Sequence, residues 1–304
     1  MKRSYWLLLC AALFCGGCGE EAGTATEGPT VTQTEDYLQL SVAGMPVLRY
    51  QTTPVLPEGL PEYYRRSGFL HPVYAPNGFV VTDDFPVGHT HQHGIFTAWT
   101  KTAFRGDTID FWNQQQQTGT VEHLSVLETN ENGQTAGFRV RLRHVSLEHG
   151  PVLQDDWHVR VLDSREPFRW ELRSEQTNIT DDTLFLLPHV YGGLGVRGSR
   201  QWNPEDSLHY RQPARFLTSE GLDRAAANHT RPEWTAIYGD SASLKVLPSP
   251  DNFRSPQYVR VHPVMPYLSV TPIVEEGFFI APGERYLSVY HFEVASGEEP
   301  GQKR

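Results

Sequence analysis

From Tyr37 onward, apolar residues recur at every second position far more often than at helical spacing. Phe138, Val140 and Leu142 alternate with Arg139, Arg141 and Arg143; Trp157, Val159 and Val161 alternate with His158, Arg160 and Leu162; Phe168, Trp170 and Leu172 alternate with Arg169, Glu171 and Arg173. A period of two puts successive side chains on opposite faces of an extended chain, so each run predicts a strand with one wet face. Leu287, Val289 and His291 against Tyr290 and Phe292 predict a last strand buried on both faces. The turn formers Pro76-Asn77-Gly78, Glu131-Asn132-Gly133 and Pro282-Gly283 separate such runs, and only Gly221 to Asn228 reads as a short helix. Many strands without alternating helices predict an all-β chain, a large antiparallel β-sandwich in a single domain over residues 36–296.

The first residues follow another pattern. Lys2-Arg3 and the apolar run Trp6 to Phe14 have the form of a secretory signal, residues 1–17, too short to span a bilayer. Gly16-Gly17-Cys18 reads as a bacterial lipobox with Cys18 as the lipidated residue, and Gly19 in place of aspartate favours passage to an outer membrane. Residues 18–35 carry almost nothing apolar and predict a flexible tether reaching about 20–25 Å, with residues 297–304 as a disordered tail. The expected location is the bacterial cell envelope, with the lipid anchor as the only membrane contact.

All three cysteines, Cys10, Cys15 and Cys18, lie in that leader, so the mature domain has no thiol for a disulfide, a nucleophile or a zinc site. Removing 17 of 304 residues leaves 287, and losing Lys2 and Arg3 moves the formal charge from −10 to −12. An acidic chain without a Lys/Arg cluster is not expected to bind nucleic acid.

Candidate chemistry concentrates in Val87-Gly88-His89-Thr90-His91-Gln92-His93-Gly94. In an extended strand His89, His91 and His93 would face one way, either as ligands for a divalent metal or as an acid/base group. No particular cofactor follows from the spacing. Asp110, Trp112 and Asn113 bring a carboxylate, a stacking ring and an amide within four positions. Gly192, Gly193 and Gly195 beside Tyr191 and Arg197 allow a ligand to approach backbone while a fixed cation binds its oxygens, and His189 offers a further imidazole. Trp99, Trp112, Trp202 and Trp234 adjoin polar, Gly- or Pro-bearing segments, where aromatic faces can stack on sugar rings. His91, His93, His189, Asp110 and Arg197 are thus the catalytic candidates, with Trp99, Trp112, Asn113 and Tyr191 contacting substrate. Two imidazoles and a carboxylate suffice for proton transfer at a sugar, as in epimerisation or elimination. Hydrolysis would need paired carboxylates, for which Asp110, Glu122 and Glu171 are candidates.

The succession Gly68-Phe69-Leu70-His71-Pro72-Val73-Tyr74-Ala75-Pro76-Asn77-Gly78, His89 to Phe96, Ile109-Asp110-Phe111-Trp112, Tyr191 to Gly198 and Asp251-Asn252-Phe253-Arg254-Ser255-Pro256 resembles a bacterial family labelled "methane oxygenase PmoA" or left as a domain of unknown function. The methane monooxygenase subunit of that name is an integral membrane protein, whereas the mature chain has no apolar run near the roughly 20 residues of a span. The resemblance implies instead a β-sandwich, with the enlarged galactose-mutarotase-like supersandwich as one form, in bacteria rich in polysaccharide-degrading systems. The leading expectation is an exported, membrane-tethered carbohydrate-active enzyme, an epimerase, lyase or hydrolase acting on a sugar or glycoside. A non-catalytic glycan-binding lipoprotein is the first alternative. A metal-dependent oxygenase, with His89, His91 and Asp110 as a facial triad, is the second.

Overall fold

A computed structural model describes residues 28–297. Three antiparallel sheets of eight, eight and four strands account for nearly all regular structure. In the first sheet the strands Pro29–Gln33, Tyr37–Val42, Met45–Gln51, Leu70–Val73, Ile95–Ala98, Gly193–Arg197, Tyr267–Thr271 and Tyr258–Val261 lie in that spatial order. The second runs Arg215–Thr218, Thr235–Tyr238, Ala242–Pro248, Arg285–Ser296, Phe168–Asn178, Gly150–Leu162, Thr135–Ser146 and Gly119–Glu131. The third, small sheet joins Phe278–Ile280, Leu184–Leu186, Thr102–Phe104 and Asp107–Ile109.

The alternating runs behave as their period requires. Phe138, Val140 and Leu142 are buried on the strand Thr135–Ser146, while Arg141 and Arg143 turn outward to pair with Asp156 and Glu122. A one-residue slip would expose the three apolar side chains and bury three arginines, losing about 5–9 kcal/mol of burial before any charge penalty. The helix near Gly221 is the single turn Arg224–Ala227, started by Asp223, whose carboxylate accepts from the N–H groups of Ala225 and Ala226. Among the described residues no helix is long and apolar enough to cross a membrane.

Two sequence expectations are corrected. The strand Arg285–Ser296 is buried on one face only: Tyr286, Ser288, Tyr290, Phe292 and Val294 point inward, whereas Leu287 and His291 are exposed. The second sheet has a partner on one side, so a run rich in apolar residues still has a wet face. Order also begins earlier than residue 36, because Pro29–Gln33 pairs with Tyr37–Val42 across a turn that Thr34 closes through its hydroxyl to the N–H groups of Asp36 and Tyr37. Polar, β-branched residues suffice for an edge strand that buries little. Cys18 and the rest of the expected leader lie outside the described residues.

The first two sheets pack face to face around aromatic side chains and one buried acid. Tyr50 of the first sheet meets Phe138 and Trp157 of the second with ring centroids 5.5 and 5.8 Å apart. Asp155, fully buried, accepts from the hydroxyls of Thr97 and Ser174, the indole of Trp157 and the amide of Gln176 at 2.7–3.2 Å. These bonds tie both sheets to one carboxylate and fix which face of each is inside. The opposite face of the first sheet is then left for chemistry.

Candidate active site

Directly opposed residues of antiparallel strands share a face, so the register sorts the centre of the first sheet. Ile95, Thr97, Leu194, Val196, Leu268, Val270, Val259 and Val261 face the sandwich core, as the bond from Thr97 to Asp155 requires. Phe96, Gly195, Arg197, Tyr267, Ser269 and Arg260 occupy the other face. A β-carbon on Gly195 would stand 2.7 Å from the Phe96 ring and 2.8 Å from the Tyr267 hydroxyl, so glycine is what lets both groups close over this position. Arg197, Tyr267 and Ser269 are fully buried there, and Nε and Nη2 of Arg197, the Tyr267 hydroxyl and Ser269 Oγ have no hydrogen-bond partner.

The histidine-rich segment does not run as a strand. It turns, with the N–H groups of His89 and Gln92 donating to the carbonyls of Pro86 and His89 at 3.1 and 3.0 Å, and Gly88 sits at φ 83° against the Glu205 carboxylate. The three imidazoles therefore diverge. His89 and His91 stay together, ring centroids 5.9 Å apart, and His262 joins them 5.3 Å from His89. All three are half-buried, and the Arg197 cation acts on each of them. Burial, with the neighbouring histidines and the Arg197 and Arg66 cations, holds His91 down at about 3. His262 is lowered to about 4 by burial, then by His89 and nearby arginines. Its Nδ1 accepts from the N–H groups of Val264 and Met265 at 3.2 and 2.9 Å, which leaves the proton on Nε2.

His93 points away from the other two, into the core beside Phe69, Phe85 and Phe96. Its Nδ1 lies 2.7 Å from Asp84 and its Nε2 3.0 Å from the carbonyl oxygen of Gln114, whose amide nitrogen donates to the Arg65 carbonyl. Gln114 must accept, so Nε2 carries a proton. Burial pushes Asp84 up to about 7 and His93 well below its usual range, which places the second proton on the Asp84 carboxyl, donating to Nδ1. With both nitrogens committed, His93 holds the Asp83–Gly94 corner together and is not free for acid/base work. Nor do the three histidines form a metal site: among the described residues no three His, Cys, Asp or Glu side chains gather as a metal ion would need. The triad of His89, His91 and Asp110 has no geometric basis among the described residues.

Asp110 is likewise occupied. Its carboxylate accepts from the backbone N–H groups of Trp112 and Asn113 and from the Asn113 amide at 2.7–2.9 Å, forming the turn that presents Trp112. Asn113 thereby has its amide turned to Asp110. Trp112 lies on the site side of the sheet, 4.8 Å from the Phe96 ring, 6.0 Å from Tyr191 and 6.3 Å from Tyr267, but it is itself buried under these rings and, like Trp99, has no exposed face for a sugar. Tyr191, half-buried and 5.9 Å from Tyr267, lies under the Arg260 guanidinium. His189 adjoins this aromatic end, 6.1 Å from the Tyr191 ring, its Nδ1 accepting from the Tyr191 N–H at 3.1 Å. Trp99 belongs instead to the core against Phe278 and Tyr286, fully buried, and offers a sugar no surface. Trp202 is also buried and stacks on Phe79.

No hydrolytic carboxylate pair comes from Asp110, Glu122 and Glu171. Glu122 and Glu171 lie on the second sheet, paired with Arg143 and Arg160. Register separates them by three strands and by six residues, about 20 Å along the strands. A cavity of about 1000 Å³ opens elsewhere, between residues 251–254 and Phe278–Ile280. Its arginines Arg254 and Arg285 already face Glu276 and Glu175.

Sequence spacing missed four members of the site: His262, Tyr267, Arg66 and Glu205. Nothing in the segments around them, the Arg65-Arg66 pair included, marks these residues by spacing. Only the strand beginning at Tyr267, on the face of Arg197, was there to be found.

Among curated protein sequences none matches this chain. Solved structures of similar shape include a galactose mutarotase related enzyme from Lactobacillus acidophilus, 8% identical with a TM-score of 0.40 over 90% of this chain and 100% of that one. A heparan sulfate lyase from Pedobacter heparinus is 7% identical, TM-score 0.40, over 91% of this chain and 36% of that one. An alpha-galactosidase from Lactobacillus brevis is 10% identical, TM-score 0.39, over 89% and 40%. Likenesses this distant carry no argument about activity. The methane-oxygenase label finds no support in these comparisons, whereas the family described as "Family of unknown function (DUF6807)" matches residues 37–303, and to that family the chain belongs.

Proposed function

We propose that the protein is a carbohydrate-active enzyme that moves a proton at a sugar carbon or oxygen, as in epimerisation or elimination. The observation that carries this reading is the fixed tautomer of His262, whose ring stands 5.3 Å from His89, with the unbonded ring of His91 5.9 Å from the same His89 and the Arg197 cation acting on both His91 and His262. His91 is neutral and able to take a proton and return it. His262 presents Nε2–H as a hydrogen-bond donor to the oxygen on which negative charge grows. Tyr191, flanked by Trp112 and Tyr267, offers its ring to the apolar face of a sugar.

Turnover is sought by mass spectrometry and NMR with a panel of neutral and acidic sugars. Because His91 is held near 3, kcat/KM on the substrate found is expected to stay flat from pH 8 down to about 5.5, rather than break near 6.5 as an ordinary imidazole base would. A break at 6–7 would rule out His91 as the base. The exposed part of Tyr191 favours a second reading, a glycan-binding protein without catalysis. Binding that is lost on Tyr191→Ala, with no product from any ligand, would establish that reading in place of the enzyme.

We further propose that the protein is exported and held at the bacterial envelope by an acyl chain on Cys18, as the Gly16-Gly17-Cys18 run indicates. Cys18→Ala is expected to move it from the membrane to the soluble fraction. Unchanged partitioning into detergent would refute the anchor.

A further inference from the structure

Two guanidinium groups are buried at this site without a counter-ion. Arg66 is 1% exposed and Arg197 0%. Arg197 spends one N–H on the Gln92 side-chain oxygen at 2.9 Å, and Arg66 reaches the Thr97 carbonyl only at 3.5 Å. Nε and Nη1 of Arg66 and Nε and Nη2 of Arg197 have no acceptor. Of the nearby carboxyl groups, Asp83 is engaged with Arg200 at 3.0 Å and Asp84 with His93, while the exposed Glu205 acts on Arg197 from a distance without pairing with it. Among the described residues no carboxylate lies within 4 Å of either guanidinium. A buried, unpaired cation costs several kcal/mol, and buried donors without acceptors add to that cost, so two such groups on one face call for an anion.

The two cations converge on common neighbours. Arg66 stands over the Phe96 ring, 5.1 Å from its centroid, and that ring and the Tyr267 hydroxyl both close over Gly195. Tyr267 is the register partner of Arg197, and its hydroxyl is also without a partner. Both guanidiniums act on Tyr267 and on His91. We infer that the sugar taken by this site carries an anionic oxygen group, a uronic acid carboxylate or a sulfate ester, seated between Arg66 and Arg197 with the Tyr267 hydroxyl as a third donor. This rests on the reading of the site as a sugar site. The planar fork of arginine matches a carboxylate with two parallel N–H···O bonds, which favours the uronate. Burial holds His91 down first, but such an anion would offset the part that Arg197 and Arg66 contribute.

The test is calorimetric titration of the protein at fixed ionic strength with glucuronate and galacturonate, their methyl esters, the parent neutral sugars, a sugar 6-sulfate, and acetate alone. The acids are expected to bind at least tenfold more tightly than their methyl esters, which keep shape and hydroxyls but lose the charge. Arg197→Lys is expected to erase most of that preference, weakening the acids at least about fivefold more than their neutral esters. Because the ester comparison alters the ligand alone, it decides the matter even if the arginine variant fails to fold. Tighter binding of the sulfated sugar than of either uronate would identify a sulfate ester as the anion. Esters or neutral sugars binding as tightly as the acids would overturn the anionic substrate and leave the histidine mechanism standing, as would absence of binding by every acid. Tight uronate binding without conversion would uphold the anionic ligand and overturn the enzymatic reading. Acetate binding as tightly as the uronates would reduce the site to a simple anion hole and overturn the sugar assignment.

Discussion

Replacing His91 by alanine is expected to lower turnover by about two to four orders of magnitude, the range in which a positioned general base acts, while stability changes by about 1 kcal/mol or less. The asymmetry follows from its surroundings: His91 is half-buried, makes no hydrogen bond to the described residues, and touches His89 alone among rings. His262→Asn should be comparably inactive. The asparagine oxygen can still accept from the Val264 and Met265 N–H groups, so the loop holds while the Nε2–H donor is gone. His93→Ala should behave in the opposite way. It strands a buried Asp84 carboxyl and the Gln114 oxygen, and is expected to cost about 2–4 kcal/mol of stability. Activity per folded molecule and melting temperature, measured on all three, separate the two kinds of histidine. A folded His91→Ala protein with unimpaired kcat would remove the proposed base. Equal losses of stability in all three would make the cluster structural.

How far the sequence reached depended on whether the relevant physics was local. Phe138, Val140 and Leu142 announce a strand because burial and pleat share a period of two, and the penalty for a slip is large. The same logic failed in the His89–His93 segment. Alternation there was read as a strand, yet Gly88 takes a positive φ and the chain turns, so equal spacing no longer means a shared face. A left-handed glycine leaves no periodic signal to contradict the misreading. Asp110 was legible as polar and close to Trp112, but not as a turn former, since its partners are backbone N–H groups that every residue possesses. Arg197 was found through its glycines, whereas Arg66 and His262 came to it from 131 residues before and 65 residues after in the chain. Convergence over such separations is a property of sheet order: the strands bearing Phe96, Arg197 and Tyr267 are neighbours although they are far apart in sequence.

Acid is expected to unfold this protein early, and the reason lies in the direction of its imidazole hydrogen bonds. His71 faces the Thr82 hydroxyl through Nδ1 at 2.9 Å, and that hydroxyl, which accepts from the Val73 N–H, has its own O–H to give to the ring. His123 meets the Tyr50 hydroxyl through Nδ1 at 2.9 Å, and His262 accepts two backbone N–H groups through its own. At His262 protonation would turn an acceptor toward two donors, and at His71 and His123 it would remove the ring lone pair to which the hydroxyl can donate. Burial lowers His71, His123 and His262 to about 4, and burial with neighbouring cations lowers His91 to about 3. A histidine lowered on folding leaves the unfolded chain holding more protons below 6.5, so stability falls as pH drops from about 6.5 toward 4. Asp84, raised to about 7, contributes with the opposite sign, but its partner His93 is lowered, and between about 4 and 6.5 the pair holds one proton both folded and unfolded. The two therefore cancel. His71 and His91 alone remove about 4 kcal/mol by pH 5, and the better solvated His123 and His262 add less. Urea unfolding followed by tryptophan fluorescence at pH 7, 6 and 5 measures this directly. His71→Asn, which keeps an acceptor for Thr82 and cannot titrate, should reduce the slope by about 1.4 kcal/mol per pH unit below 6. A midpoint that does not move between pH 7 and 5 would mean that these rings take up protons as readily folded as unfolded, and that their acceptor roles do not hold the fold.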